Sequence, residues 1–321
     1  MKKIFLLFLA VSLSAGVAFA QEQTPEEMLN SAIELANSGN EAFEAGSPDL
    51  ALEAFQQSLQ LALGVGEIGA AHVETCKTAI CNIYMKLAKN AYNAHEWDNA
   101  LTAFEKVKEV ATEYGNADIA AEAEKLLVNT KTNQISALAA EAKKNKDYAT
   151  AAGYYQQMVD MDPSNGGFAL QLGDALRRAK DWDKAIAALE TAAANGQEAK
   201  AKGVLSNLYY DRCQEARKDK KHKEALDFAK TAVEYNPKNA NAYYYGGQAA
   251  SSIKNAGACE ELFLKYLELK PNASNKSDIL ITIGECYRQT GNKAKAREYY
   301  TKLVSDPKHG AVAKQVLPTL K

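Results

Sequence analysis

The chain has 321 residues, of which 47% are hydrophobic and 24% charged, and its formal net charge is −2 at pH 7. Proteins bind nucleic acid by neutralising phosphates with a basic surface, so this mildly acidic balance predicts no nucleic-acid partner. Beyond the first residues no apolar run is long enough to cross a bilayer, and we expect no membrane span in the mature chain.

The N-terminal residues are typical of a secretory signal peptide. Two lysines precede an apolar run from Ile4 to Val17, and Ala18-Phe19-Ala20 follows it. This ending predicts cleavage after Ala20, which gives a signal peptide over residues 1–20 and a mature chain over 21–321. An uncleaved anchor is the competing interpretation, but the run is short for a span of about 20 residues. We expect a periplasmic protein of a Gram-negative cell, with secretion as the alternative.

A small residue followed three or four positions later by an aromatic residue or Leu recurs along the chain. Residues so spaced share one face of a helix, and a small side chain there lets a neighbouring helix approach closely. Two of the steps between the small residues, Ala151 to Ala185 and Ala225 to Cys259, are 34 residues long. The small residues are Ala51, Ala100, Ala151, Ala185, Ala225, Cys259 and Ala296.

The segment from Ile281 to Tyr300 resembles one complete tetratricopeptide repeat, whose period is about 34 residues. It reads as an apolar first helix around Gly284, a Gly291-Asn292 turn and a second helix. The segment from Leu170 to Leu189 fits the same frame. The resemblance implies an all-α fold, an α-solenoid of about seven stacked helix-turn-helix repeats of the tetratricopeptide (TPR) type.

The N-terminal repeats depart from this period. The steps from Ala51 to Ala100 and from Ala100 to Ala151 are about fifteen residues longer than the family's. The extra residues lie in stretches without Pro that are rich in Ala, Leu, Glu and Lys. We therefore predict elongated or added helices there, over residues 68–93 and 117–145.

Motifs of catalysis and cofactor binding are weak in this sequence. Residues 64–69 read GxGxxG, but that fingerprint needs a preceding strand, and here a helix is predicted to precede it. We interpret the four histidines as solvent-facing, because none has enough partners at metal-ligand spacing. We expect no enzyme, no cofactor and no metal.

The five cysteines are an odd number, so at least one cannot pair within the chain. Cys213 and Cys259 fall at small-residue core positions, where a buried cysteine acts as a small hydrophobe. A Cys259–Cys286 disulfide is an alternative that the sequence leaves open, because the helices that carry the two residues should be neighbours.

The resemblance also implies where a partner binds, because the first helices of successive tetratricopeptide repeats line a concave groove. Basic pairs at the ends of these helices predict a ridge able to hold an acidic or C-terminal segment. The competing interpretation is that Lys and Arg favour helix C-termini without any ligand. The predicted groove residues are Lys143, Lys144, Arg177, Arg178, Asn207, Tyr210, Gln214, Arg217, Lys218, Asn241, Tyr244, Gln248 and Arg288.

These observations predict a non-catalytic scaffold of the bacterial envelope that binds a protein or peptide in its groove. The alternative is an accessory protein that binds glycan or cell-wall polymer, which the sixteen tyrosines favour. The final segment, Ala311 to Leu317, is predicted to be a short helix that covers the last repeat or meets a second copy. The sequence therefore leaves open whether the chain forms a homodimer. The repeats do not identify the partner.

Overall fold

The computed structural model describes residues 23–320, and over these residues the chain forms helices and no strand. The predicted signal peptide, residues 1–20, lies outside the described residues. Contacts between Cα atoms divide the chain into two compact units, one ending at Asn133 and one beginning at Gln134. Each unit consists of helices that pack against their neighbours in sequence.

The first unit contains two antiparallel helix pairs and the beginning of a long helix. Its interior is built from alanines and large side chains such as Phe55, Ile80 and Phe104, all nearly inaccessible to solvent. Thr24 caps α1: its hydroxyl accepts a bond from the Glu27 backbone, and the Glu27 carboxylate accepts one in return. The helices are α1 (Pro25–Glu44), α2 (Pro48–Gly64), α3 (Ala70–Asn93), α4 (Trp97–Glu113) and α5 (Ala117–Lys144), which continues into the second unit.

The second unit continues the pattern with the C-terminal part of α5 and ten further helices. Between α8 and α9 the chain makes a π-helical turn, Ala193–Gln197, in which Gly196 has a φ of +83°. The helices are α6 (Tyr148–Met161), α7 (Gly166–Ala179), α8 (Trp182–Ala192), α9 (Glu198–Lys218), α10 (His222–Tyr235), α11 (Ala240–Ser252), α12 (Ala256–Leu269), α13 (Lys276–Gln289), α14 (Lys293–Thr301) and α15 (Gly310–Val316).

Every turn inside a helix pair has the same backbone form. The residue two positions before each second helix lies in the left-handed region. In the turn between α11 and α12, Lys254 donates its N–H to Ser251 O and Asn255 donates to Ala250 O, which satisfies carbonyls at the helix end. The left-handed residues of these seven turns are Gly46, His95, Lys146, Lys180, Lys220, Lys254 and Gly291.

The small residues of the repeat are fully buried, and glycines of the first helices lie where one helix of a pair touches the other. A Cβ added to Gly173 would lie 2.6 Å from Leu189 Cγ, and one added to Gly247 would lie 2.7 Å from Phe263 Cδ1. Real Cβ atoms essentially never make contacts this short. The predicted reason for the pattern, close approach of paired helices at small side chains, is confirmed.

The extra length of the N-terminal repeats is helical, as predicted. Helix α3 has 24 residues and α5 has 28, whereas α7, α11 and α13 have 13 or 14. At the other end of the chain, Val316 of α15 packs against the core of the last pair, while Val312 is 43% exposed.

Candidate functional site

Arg177, near the end of α7, is neutralised by two carboxylates. It donates to Asp174 one turn earlier, at 3.2 Å from Nε and 2.9 Å from Nη2, and to Asp211 on α9. Arg178 also donates to Asp174, at 2.9 Å. Burial opposes the ionisation of Asp174, but the hydrogen bonds from both arginines lower its pKa below the ordinary value. These groups form a closed ion cluster, which we call the α7–α9 cluster.

Arg217 occupies the equivalent position near the end of α9, but two amides hold it in place of two acids. It donates to Gln214 Oε1 one turn earlier at 2.5 Å, and to Gln248 Oε1 on α11 at 2.6 Å. Its guanidinium lies over the Tyr245 ring, 4.4 Å from the centroid. Among residues 23–320, no Asp or Glu forms an ion pair with Arg217. Its positive charge is therefore oriented without being neutralised.

A cavity of about 390 Å³ lies beside Arg217, among helices α9, α10, α11, α12 and α13. Arg217, Gln248 and Ser251 line it together with His222, whose buried Nδ1 has no hydrogen-bond partner within the described part of the chain. Asp278 also lines the cavity, and its carboxylate is already paired. We call this space the Arg217 cavity.

Arg288, the third arginine at this position, has a local acid partner. Its Nε and Nη2 donate to Glu285 at 2.7 and 2.6 Å, and Tyr300 donates to the same carboxylate at 2.9 Å. The Arg288 guanidinium lowers the pKa of Glu285 to about 2. The sequence predicts a continuous basic ridge, and the structure shows that three of its four arginines, Arg177, Arg178 and Arg288, are paired with acids within the chain.

Apart from the acid-paired Arg177, Arg178 and Arg288, the predicted groove residues fall into two groups. One group surrounds Arg217: Tyr210 accepts from Gln214 Nε2 at 3.0 Å, Gln248 accepts from Arg217, and Tyr244 lines the Arg217 cavity. The second group is not hydrogen-bonded to the first in residues 23–320. It consists of Lys143, which lies over the Tyr155 ring at 5.7 Å, and of the exposed residues Lys144, Asn207, Lys218 and Asn241.

Sequence reasoning missed the residues that decide the charge of this surface. Asp174 and Asp211 neutralise Arg177, and Tyr245 stacks under Arg217. The sequence did contain a signal for the charge of each arginine, because residues three apart on a helix are neighbours. Three positions before Arg177, Arg217 and Arg288, the chain has Asp174, Gln214 and Glu285, respectively.

The interpretation of the histidines as solvent-facing is wrong for three of the four. His72 Nε2 lies 2.8 Å from the buried Ser58 Oγ, and His309 Nε2 lies 2.5 Å from Asp278 Oδ1. His222 lines the Arg217 cavity, and only His95 is exposed. The reason is that each of the three lies between its own segment and a neighbouring helix. In the described residues, no group of His, Cys, Asp and Glu could hold a metal ion.

All five cysteines are buried free thiols. Cys213 and Cys259 occupy core positions, as predicted. Cys286 donates from Sγ to Ser251 Oγ at 3.2 Å. The hydrogen bond that Cys259 shares with Cys286, together with burial, raises the pKa of the Cys259 thiol above its ordinary value. The two thiols are thus neighbours, which a Cys259–Cys286 disulfide would require. In this structure both are free thiols.

The GxGxxG match has no nucleotide-binding geometry. Gly64 ends α2, and Gly66–Gly69 form a 3₁₀ turn that leads into α3. A helix therefore precedes the glycines, as predicted, and no strand is found in residues 23–320. None of the helices in the same range is both long enough and apolar enough to span a membrane.

Two models of the tetratricopeptide repeat family match this chain, at residues 142–208 and at residues 277–305. The first match covers the end of α5, helix α6, the pair α7–α8 and part of α9, and the second covers α13 and α14. Together with the repeated turn and the close approach of paired helices, these matches show that the chain contains tetratricopeptide repeats. No curated protein matches it.

Several solved structures resemble parts of the chain at low identity. A crystal structure of MamA is 20% identical, with a TM-score of 0.40, and the match covers 57% of this chain and 96% of that one. MamA from Desulfovibrio magneticus RS-1 is 18% identical, with a TM-score of 0.37 over 54% and 93% of the two chains. YrrB, described as a TPR protein with an unusual peptide-binding site, is 21% identical, with a TM-score of 0.35 over 55% and 88%.

Proposed function

We propose that this chain is a non-catalytic scaffold that binds a protein or peptide segment on the face formed by α9, α11 and α13. The observation that carries the proposal is the contiguous row of Tyr210, Gln214, Arg217 and Gln248, in which amide and guanidinium groups join α9 to α11. Such groups offer donors and acceptors to an extended backbone.

The same geometry favours a peptide over a glycan. A sugar-binding site needs open aromatic faces, whereas the tyrosines of this region pack against other groups. Tyr244 contacts Tyr245, Phe263 and Tyr266 with ring centroids 5.0 to 5.9 Å apart, and Arg217 covers one face of Tyr245. The row of amides is continuous, so we place the partner's backbone there.

The proposed compartment is the periplasm of a Gram-negative bacterium, and its support is the sequence of residues 1–20. N-terminal sequencing of the exported chain checks this part. We expect the mature chain to begin at Gln21 and to be released from cells with the periplasmic fraction. Retention of Met1 in a membrane fraction would contradict it.

Selection from a displayed library of random peptides tests the binding function. We expect the purified chain to enrich peptides that compete with one another, and the double variant Gln214→Ala/Gln248→Ala to bind them at least about tenfold more weakly, since it removes the amide row. The variant Gln157→Ala on α6, an exposed residue, is the control. Enrichment of no peptide, together with a thermal shift on oligosaccharides, would replace this proposal with the glycan alternative.

A further inference from the structure

We infer that the Arg217 cavity binds a carboxylate group, from an acidic side chain or from the C-terminus of a peptide. This inference rests on the proposed function and specifies its ligand chemistry. It begins from a difference within the chain: Arg177 and Arg217 lie at equivalent positions, yet only Arg177 is paired with acids.

The difference is a replacement of carboxylates by amides of nearly the same shape. Gln214 stands one turn before Arg217 as Asp174 stands one turn before Arg177, and both arginines reach a polar side chain on the next first helix. That second side chain is Asp211 for Arg177 and Gln248 for Arg217. The amide oxygens fix the guanidinium in place but leave its charge unbalanced. A fixed, half-buried and unbalanced cation is prepared for an anion.

Donors remain available around the cavity. A guanidinium carries five N–H groups, of which the two amides take two, so three remain on Arg217. The Ser251 hydroxyl accepts from Cys286 Sγ and keeps its own hydrogen to donate. His222 Nδ1, buried and without a partner among residues 23–320, supplies a further donor in the tautomer that carries hydrogen there.

The charge balance points to a carboxylate. One carboxylate neutralises one guanidinium, and the planar fork of arginine matches its two oxygens. Asp278 lines the same cavity, where a phosphate dianion would add a second negative charge close to it. Lys308 and His309 already pair with Asp278, at 2.6 and 2.5 Å, so its charge does not neutralise Arg217. The volume of about 390 Å³ is at the lower end of the roughly 300–1,000 Å³ of ligand pockets.

Titration calorimetry with two matched peptide pools tests the inference on the purified chain. One pool contains random hexapeptides with a free C-terminal carboxylate and acidic residues. The other has the same composition with an amidated C-terminus and with Asn and Gln in place of Asp and Glu. We expect the first pool to bind about tenfold or more tightly than the second, since a charge-assisted hydrogen bond is roughly twice as strong as a neutral one.

Three variants locate the carboxylate. Arg217→Gln removes the cation, while Gln214→Glu and Gln248→Glu neutralise it in place with side chains of nearly the same shape. Each is expected to remove the preference for the acidic pool. Two exposed residues on other faces give controls with the same charge changes, Lys230→Gln on α10 and Gln157→Glu on α6, and both should keep it. Thermal unfolding checks that every variant is folded.

The outcomes separate this inference from the proposed function. Equal binding of both pools, or a full preference retained in folded Gln214→Glu and Gln248→Glu, would overturn the carboxylate site and leave peptide binding intact. Displacement of the acidic pool by inorganic phosphate more strongly than by succinate would also overturn the carboxylate assignment. Tight binding of succinate with no binding of either pool would support the carboxylate and contradict the peptide scaffold.

Discussion

The α7–α9 cluster and the Arg217 cavity show two uses of one arginine position. At α7, Asp174 and Asp211 close an ion cluster that ties two first helices together. At α9, Gln214 and Gln248 stand in place of the two acids, so the link between the helices is kept and the Arg217 charge has no acid partner. Repeats of one fold can therefore serve stability or binding through the residue at i−3 and the residue on the next helix.

Removal of each arginine gives the largest expected difference between the two sites. Arg177→Gln leaves the half-buried Asp211 without its ion-pair partner and Asp174 with Arg178 alone, and we expect it to lower the free energy of unfolding by roughly 1–3 kcal/mol. Arg217→Gln leaves only neutral amides and should cost less than about 1 kcal/mol. Urea denaturation followed by circular dichroism measures both, and equal losses would show that the two environments do not differ in charge balance.

Substitutions in the turns that follow Arg177 and Arg217 are expected to give a smaller difference in the free energy of unfolding. Lys180 and Lys220 both have left-handed backbones, with φ of +67° and +59°, and Lys180 is also paired with Glu215 at 2.5 Å. Because glycine adopts this conformation freely, Lys220→Gly should raise the unfolding free energy by about 1 kcal/mol.

Lys180→Gly is the matched change, because it removes the same backbone strain but also loses an exposed ion pair, which contributes little. We expect it to stabilise the protein less than Lys220→Gly does. Thermal unfolding midpoints rank the two variants. A larger gain for Lys180→Gly would mean that the pair with Glu215 destabilises the turn.

Acid stability gives the smallest of the three differences. The pKa of Glu285 is about 2 in the fold against an ordinary value of 4.5, so its pairing with Arg288 contributes stability above pH 4.5 that is lost as the pH falls toward 2. We expect Glu285→Gln to flatten the decline of unfolding free energy over this interval. Gln214→Glu, which gives Arg217 the same kind of local partner, should steepen it.

Denaturant unfolding at a series of pH values between 5 and 2 would measure both slopes, with Gln157→Glu as the charge control. An unchanged slope in Glu285→Gln would mean that the Arg288 pair contributes nothing to the folded state. An unchanged slope in Gln214→Glu would mean that Arg217 does not interact with an acid at its i−3 position.

The sequence predicted the helices and the repeat because both depend on local spacing. Small residues such as Ala185 and Cys259 predicted close helix contacts, and the stretches without Pro at 68–93 and 117–145 predicted the long helices α3 and α5. The charge state of the groove was less predictable, because it depends on pairs such as Arg177 and Asp211, which are 34 residues apart. The burial of His222 and His309 likewise follows from packing between helices.

A crystal structure of the chain with an acidic peptide from the preferred pool tests the central claim most directly. The account predicts one carboxylate of the peptide within hydrogen-bonding distance of the Arg217 guanidinium, with Gln214 and Gln248 still holding that guanidinium from either side. A peptide bound elsewhere, with no acidic group at Arg217, would contradict it.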